Sequence, residues 1–457
     1  MNSAFSKLTT KVICILSAII LYSCKDTTPT DTKYIKDFHV TNFLQSANML
    51  EEDNLALYVD YSTCIAEGMK TSALYVKLVP SFVEATKTFF SIKGDSIKQE
   101  NPTNTYNRLL NIQEVNYADL KSAAEQIAKG NTEAALLTDG EYYNPTIAGA
   151  NPNNPYLADA FKTWMKKGHD IFIISEPYIE INNGLQYNKK RFYFLFTDTR
   201  LKNNIYERIA QTASLEQFPN VQIFHLSADH PNIMVEGNSS QTNDLLAANI
   251  EPYGIFEIQD WTLDWKQIEN YIMGAVDEQT GNPLPNGDFV IKGLKVDRNS
   301  FGGYKITDVD VKVYDMNMAY MDYYIRKESG EKIGALGEEL PECPNFLVVD
   351  HKEFERHGMI NLYFDLSLIH ISDIMNYNNA FLIGKPNNYF KIDFFITKTE
   401  NVFSKYSSMF TFDLLGHPGV TNSSVVTSVE QCLVDKDLEN QMKHSPFYTI
   451  YVKSNKY

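Results

Sequence analysis

The chain has 457 residues, 44% apolar and 21% charged, which is enough apolar material for two or three domains with their own cores and excludes a disordered polymer. Its formal net charge of −16 speaks against nucleic acid, whose binding depends on a surplus of Lys and Arg. Five cysteines, widely scattered, are too few for a disulfide framework or a zinc cluster.

At the N-terminus, Lys7 and Lys11 precede an apolar run over 12–21 that ends in Leu21-Tyr22-Ser23-Cys24. This order is that of a secretory signal, and the run is shorter than the roughly 20 residues of a spanning helix. It resembles the lipobox of bacterial lipoproteins: a leucine, two tolerant or small positions, then cysteine. The resemblance implies cleavage before Cys24, acylation of that residue, and a membrane partner reached through the lipid anchor, in the cell envelope and on the outer membrane. The alternative is plain secretion with an incidental cysteine, against which stands the lack of a small-residue Ala-x-Ala cleavage site. Removing 1–23 takes away Lys7 and Lys11 and no acidic residue, so the charge moves from −16 to −18. Residues 24–50 read as the lipidated cysteine and a tether, because the stretch containing Thr27, Thr28, Pro29 and Thr30 buries too little apolar area to offset the entropy of ordering. Lys25-Asp26 resembles the export signals of surface lipoproteins in Bacteroidota-type bacteria.

From residue 51 to 230 short apolar runs alternate with helical stretches, the pattern of an α/β domain with a doubly wound, mostly parallel sheet. Strands are expected at 55–59, 88–92, 134–137, 170–175, 191–196 and 221–226. Helices are expected from about 63 to 87, at 117–129 before Gly130, at 155–167 before Gly168, and at 203–214. A hairpin over 178–190, with Asn182-Asn183-Gly184 at its centre, interrupts the scheme. Residues 231–287 are expected to be a linker with an amphipathic helix at 263–276 carrying Trp265, Ile268, Tyr271 and Ile272. Over 288–457 period-two alternation takes over, at 306–314, 360–371, 389–397 and 447–452, and predicts a β-rich, antiparallel, sandwich-like C-terminal domain.

Two expected strand ends carry polar residues at the carboxyl edge, where open α/β sheets hold ligands: Asp60-Tyr61-Ser62-Thr63-Cys64 and Thr138-Asp139-Gly140-Glu141. These residues resemble the von Willebrand factor type A domain, whose first strand ends in Asp-x-Ser-x-Ser and whose fourth ends in a Thr-Asp-Gly-like turn. The match holds at Asp60, Ser62, Asp139 and Gly140. The resemblance implies a metal-ion-dependent adhesion site in which Mg²⁺ or Mn²⁺ is held by hydroxyls, carboxylates and water, with one position open to a partner's carboxylate. Hard divalent ions favour such oxygen donors. This sequence has Cys64 at the second serine position and no threonine in the middle loop, where Asn116 or Asp119 could supply an oxygen. On the residues alone, Asp60 and Ser62 could equally cap the next helix and Asp139-Gly140 form a turn.

Other candidates have plainer readings. His225 and His230, near Asp229, could ligate a metal but lack a third ligand at metal-site spacing. His351 and His357 alternate with Glu353 and Glu355 as an exposed charged face, and Gly330, Gly334 and Gly337 lack the lysine of a phosphate loop. Tyr320, Tyr323 and Tyr324 could stack a sugar or pack internally, so a glycan remains a candidate ligand. The expected function is a membrane-anchored envelope protein that recognises a protein or peptide through the A-like domain. The alternatives are a metal-assisted hydrolase of an envelope glycan or ester, needing Glu141 as base, and a structural subunit of a surface assembly.

Overall fold

A computed structural model describes residues 37–38, 41–42, 50–111, 118–142, 151–201, 203–228, 235–236, 246–250, 253–259, 289–298, 302–334, 339–343, 347–364 and 388–455. The first half builds a seven-stranded sheet of β1 (Glu51–Asp60), β2 (Thr86–Lys93), β3 (Ser96–Glu100), β4 (Thr132–Thr138), β5 (Asp170–Asn182), β6 (Leu185–Thr197) and β7 (Gln222–Leu226), in the order β3-β2-β1-β4-β6-β5-β7. Residues Leu55, Leu57 and Val59 of β1 face one way and Ala56 and Tyr58 the other, and all five are buried. A central strand covered on both faces needs an apolar run of this kind rather than an alternating one.

Helices cover both faces. On one lie α1 (Thr63–Ala66), α2 (Gly68–Thr71), α3 (Ala73–Ala85), α4 (Pro102–Leu110) and, further along, α7 (Ile205–Ala213); on the other lie α5 (Leu120–Lys129) and α6 (Ala158–Met165). The spacing of Leu120, Ala123, Ala124, Ile127 and Ala128 gives α5 a single buried stripe, and its alanines let α6 approach closely. Asn204 starts α7 by accepting from the Glu207 amide at 3.0 Å.

The sheet is mixed, not mostly parallel. β1 is parallel to β2 and β4, whereas the pairings β2·β3, β4·β6, β5·β6 and β5·β7 are antiparallel. The cause lies in the expected hairpin, which is no insertion: β5 and β6 run unbroken for 13 residues each and meet at Asn183 and Gly184, with φ of +50° and +79°. Two left-handed residues make the tight turn that suits the strand twist, and so short a link can join only antiparallel strands. β3 and α4, between 92 and 117, went unpredicted because their few apolar residues are mostly exposed or half-buried.

The second half adds β8 (Val235–Glu236), β9 (Leu246–Ile250), β10 (Tyr253–Gln259), β11 (Phe289–Val296), β12 (Tyr304–Asp315), β13 (Leu347–Val349), β14 (Met359–Phe364), β15 (Asn388–Asn401), β16 (Phe412–Asp413), β17 (Thr421–Asn422) and β18 (Tyr448–Asn455). They form sheets in the orders β12-β15-β18-β10-β9 and β13-β14-β11-β8, and a β16-β17 ribbon; every pairing except β10·β18 is antiparallel. Four more α-helices follow, α8 (Asn317–Glu328), α9 (His351–His357), α10 (Ser424–Leu433) and α11 (Lys436–His444), with short 3-10 turns at Leu215–Gln217, Phe403–Lys405 and Ser407–Met409. The expected helix at 263–276 lies outside the described residues.

Contacts cross the division expected at 231–287. Phe224 of β7 lies edge-on to Phe403, Tyr406 and Phe410, and α10 packs on α6, where the Leu157 amide donates to Ser428 Oγ at 3.2 Å. The apolar residues on that face of the first sheet and those of both smaller sheets form one continuous core.

At the amino edge of β5, two histidine–aspartate pairs are buried. His225 Nε2 sits 2.9 Å from Asp170 Oδ1 with its ring stacked on Phe172, so this histidine is paired in the core; His230 lies outside the described residues. His169 Nδ1 lies 3.0 Å from Asp198 Oδ2, and Arg200 Nη2 lies 2.5 Å from the same oxygen. Burial alone would raise the Asp198 pKa, but the bonds from His169 and Arg200 and the Arg200 charge hold it well below the usual range. The unfolded chain therefore binds this proton more readily, and the stabilisation is present above about pH 4 and is lost as pH falls below it. Asp198→Asn should cost about 3–5 kcal/mol at neutral pH, as expected for breaking a buried ion pair, and should flatten the acid limb of stability in urea titrations between about pH 4 and 2.

Candidate functional site

The parallel register of β1 and β4 sets Val59 beside Leu137, which brings Asp60 and Thr138 together at the carboxyl edge. Thr138 Oγ1 donates to Asp60 Oδ2 at 2.8 Å and accepts from the Gly140 amide at 3.0 Å, so one hydroxyl ties the two loops to each other. Asp60 is buried, and its other carboxylate oxygen, Oδ1, has no hydrogen-bond partner among the described residues. Asp139 is 8% exposed; its Oδ1 accepts from the Glu141 amide at 2.9 Å, an aspartate turn. Ser62 Oγ lies 3.3 Å from Cys64 Sγ, and the Ser62 amide donates to Asp60 O at 2.8 Å.

Of the residues singled out in the sequence, the structure thus gathers Asp60, Ser62 and Asp139, with Cys64 beside them. Asp119 is the N-cap of α5, its Oδ1 accepting from the Ser122 amide and its Oδ2 from Ser122 Oγ at 3.0 Å, so its carboxylate is taken up locally. Asn116 and Cys24 lie outside the described residues. Thr138 stood in the quoted motif without a role; its position one residue before Asp139, on the strand beside β1, was the signal that it holds Asp60.

Two carboxylates buried together cost energy. Burial, then the Asp139 charge, push the Asp60 pKa well above the usual range against the opposing bonds from Thr138 and Ser62. Burial raises Asp139 to about 7, with the Lys189 charge opposing and Glu141 adding to the rise. Burial also pushes the Cys64 thiol well up, helped by the Asp139 charge, so it stays a neutral thiol.

The β5–β6 hairpin stands over this edge. Ser175 is level with Phe192, which pairs with Thr138, so Glu176–Asn182 reach beyond the end of β4, about 20 Å at 3.3 Å per residue. Its cations fasten the loops: Lys189 pairs with Glu141, and Arg191 donates to Glu176 Oε2 at 2.6 Å and to Cys64 O at 2.8 Å. Glu141 also accepts from the Leu415 amide at 2.9 Å, which leaves it poorly placed to act as a free base. A groove of about 340 Å³ lies beside the hairpin, between Ile179, Asn188 and Lys190 on one side and Phe412, Asp413 and Thr421 on the other.

The other candidates resolve differently. Tyr320 and Tyr323 are buried, not free to stack a sugar, and His351 is exposed with Nδ1 2.8 Å from Asp308. Among the described residues no cluster of three or more His, Cys, Asp or Glu side chains is arranged to hold a metal, a pattern that leaves aside hydroxyl donors such as Ser62. No helix among them is long and apolar enough to cross a membrane.

No known family matches this chain. Neither the curated proteins nor the solved structures compared with it contain a significant match. The site must therefore be read from its own chemistry.

Gly140 adopts φ +75°, and a Cβ there would lie 2.7 Å from the Phe192 ring. Gly140→Ala should lower stability by about 1–3 kcal/mol in chemical denaturation, through strain and overpacking together. Asp139→Asn should do the opposite. Because the folded carboxyl titrates near 7, above its unfolded value, the native state loses stability as pH rises from about 4 to 7; the amide removes that loss. Melting curves should show the variant more stable than wild type at pH 8 and equal to it at pH 4.

Proposed function

We propose that this protein is a lipid-anchored envelope protein whose first half is a von Willebrand A-like binding domain, and that it recognises a protein or peptide carboxylate through a divalent cation. The observation that carries this reading is the unpartnered, buried Oδ1 of Asp60 beside a second carboxylate, Asp139, at the carboxyl edge of the parallel strands. The strand positions support it too: Asp60 ends the first strand and Thr138 the fourth in chain order. Mg²⁺ or Mn²⁺ fits this set in part. Asp60, Ser62 and Asp139 supply oxygen donors, and a bound cation would supply the positive charge that Asp60 lacks and that Lys189 gives Asp139 only in part. Cys64 is a poor donor to a hard cation and would serve as packing. Lys189 and Arg191 would hold the two loops in place while Asp60 and Asp139 ionise.

The hydrolase alternative is weaker, since its base, Glu141, is held by Lys189 and the Leu415 amide. The lipid anchor rests on Cys24 and the signal that precedes it. Millimolar Mg²⁺ or Mn²⁺ should raise the melting temperature of wild type relative to EDTA, by mass action on the native state, and leave Asp60→Ala unmoved. Ligating carboxylates must be ionised, so the cation effect should grow as pH rises through about 7, where Asp139 titrates. A wild type indifferent to both cations at pH 8 would remove the metal from the proposal.

A further inference from the structure

We propose that the outward face of α8 lies on the lipid surface that holds Cys24, so that the second half of the protein sits against the bilayer. This inference rests on the lipid-anchor reading. The first described residues after Cys24 join the body on this helix. Phe38 is fully buried, edge-on to Tyr320 and Tyr323 at ring distances of 5.6 and 5.3 Å, and Asp37 Oδ2 lies 3.2 Å from Lys327 Nζ. Asn42 Nδ2 donates back to Phe38 O at 2.8 Å, closing the turn. The leash from Cys24 therefore ends at Asp37, far short of residue 50. Thirteen residue steps span at most about 45 Å.

α8 carries an exposed apolar stripe on the side away from Phe38. Met318 is 86% exposed, more than any other large apolar side chain among the described residues, and Ile325 is 59% exposed. These two lie seven residues apart, with the half-buried Met321 between them, so all three share a face. Of the neighbouring charges, Arg326 pairs with Asp322 and Glu331 and Lys327 with Asp37, while Glu328 is exposed at the C-terminal end of this face. The contact is therefore apolar, made by flexible methionines that adapt to an irregular surface. Three side chains would bind a bilayer weakly from solution. A short leash holds the helix at an effective concentration of about millimolar, which turns a weak contact into a populated one.

The test uses the full-length acylated protein in zwitterionic phospholipid vesicles, carrying an environment-sensitive dye at Met318→Cys or, for comparison, at Leu185→Cys on the hairpin turn. The three native cysteines of the described body, Cys64, Cys343 and Cys432, are buried. The expected result is a blue shift and loss of aqueous quenching at 318 and neither at 185, unchanged by added salt. A dye at 318 that stays fully quenched while the acylated protein floats with the vesicles overturns the proposal and leaves the anchor intact. A mature chain that bears no acyl group, or a Cys24→Ser variant that floats like wild type, overturns the anchor reading and this inference with it. Protection at 318 in the soluble Cys24→Ser variant, accompanied by dimer formation, assigns the stripe to a second copy and also overturns the proposal.

Discussion

Two carboxylates buried side by side constrain everything around them. Burial raises the pKa of both Asp60 and Asp139, the Asp139 charge adding to the rise at Asp60 and the Glu141 charge to that at Asp139, so the native state carries a cost that grows with pH. The fold absorbs it locally. Thr138 gives Asp60 one strong bond and in the same stroke fixes the Gly140 amide, while Phe192 fills the space that any side chain at 140 would need. Carboxyls held above their usual pKa range by burial and neighbouring charge cluster at functional sites, and for that reason the pair weighs more than any motif.

The β5–β6 hairpin turns that local arrangement into a site with walls. It leaves the sheet at the level of Thr138 and carries Lys189 and Arg191 onto the two loops, one through Glu141 and the other through the Cys64 carbonyl. Residues 409–421 return from the far end of the chain to meet it, with the Asn188 amide donating to Asp413 Oδ2 at 2.7 Å and Ser175 Oγ to Met409 O at 2.7 Å. A ligand at the carboxyl edge would thus meet both halves of the protein. The shared core makes those halves one cooperative packing problem, because Phe224 and α6 bury their apolar faces against the C-terminal segment.

Against α8, Phe38 does what composition did not announce. Residues 24–50 read as a tether throughout, yet Phe38 within them packs edge-on against Tyr320 and Tyr323. The same contact explains why the tyrosines are buried and not presented to a sugar.

The local features were legible because they depend on neighbours in sequence. The apolar run of β1, the stripe of α5, the Asn183-Gly184 turn and the polar ends at Asp60 and Asp139 all follow from residue type and spacing. Pairing partners were not, since periodicity says which residues face a core and nothing about which strand lies alongside. Only the tertiary structure decided that β6 sits between β4 and β5 and that α10 covers α6. Both join residues through burial competition across long stretches of chain, up to the 274 positions between Ala158 and Cys432, where the energy of packing, and not local preference, selects the outcome.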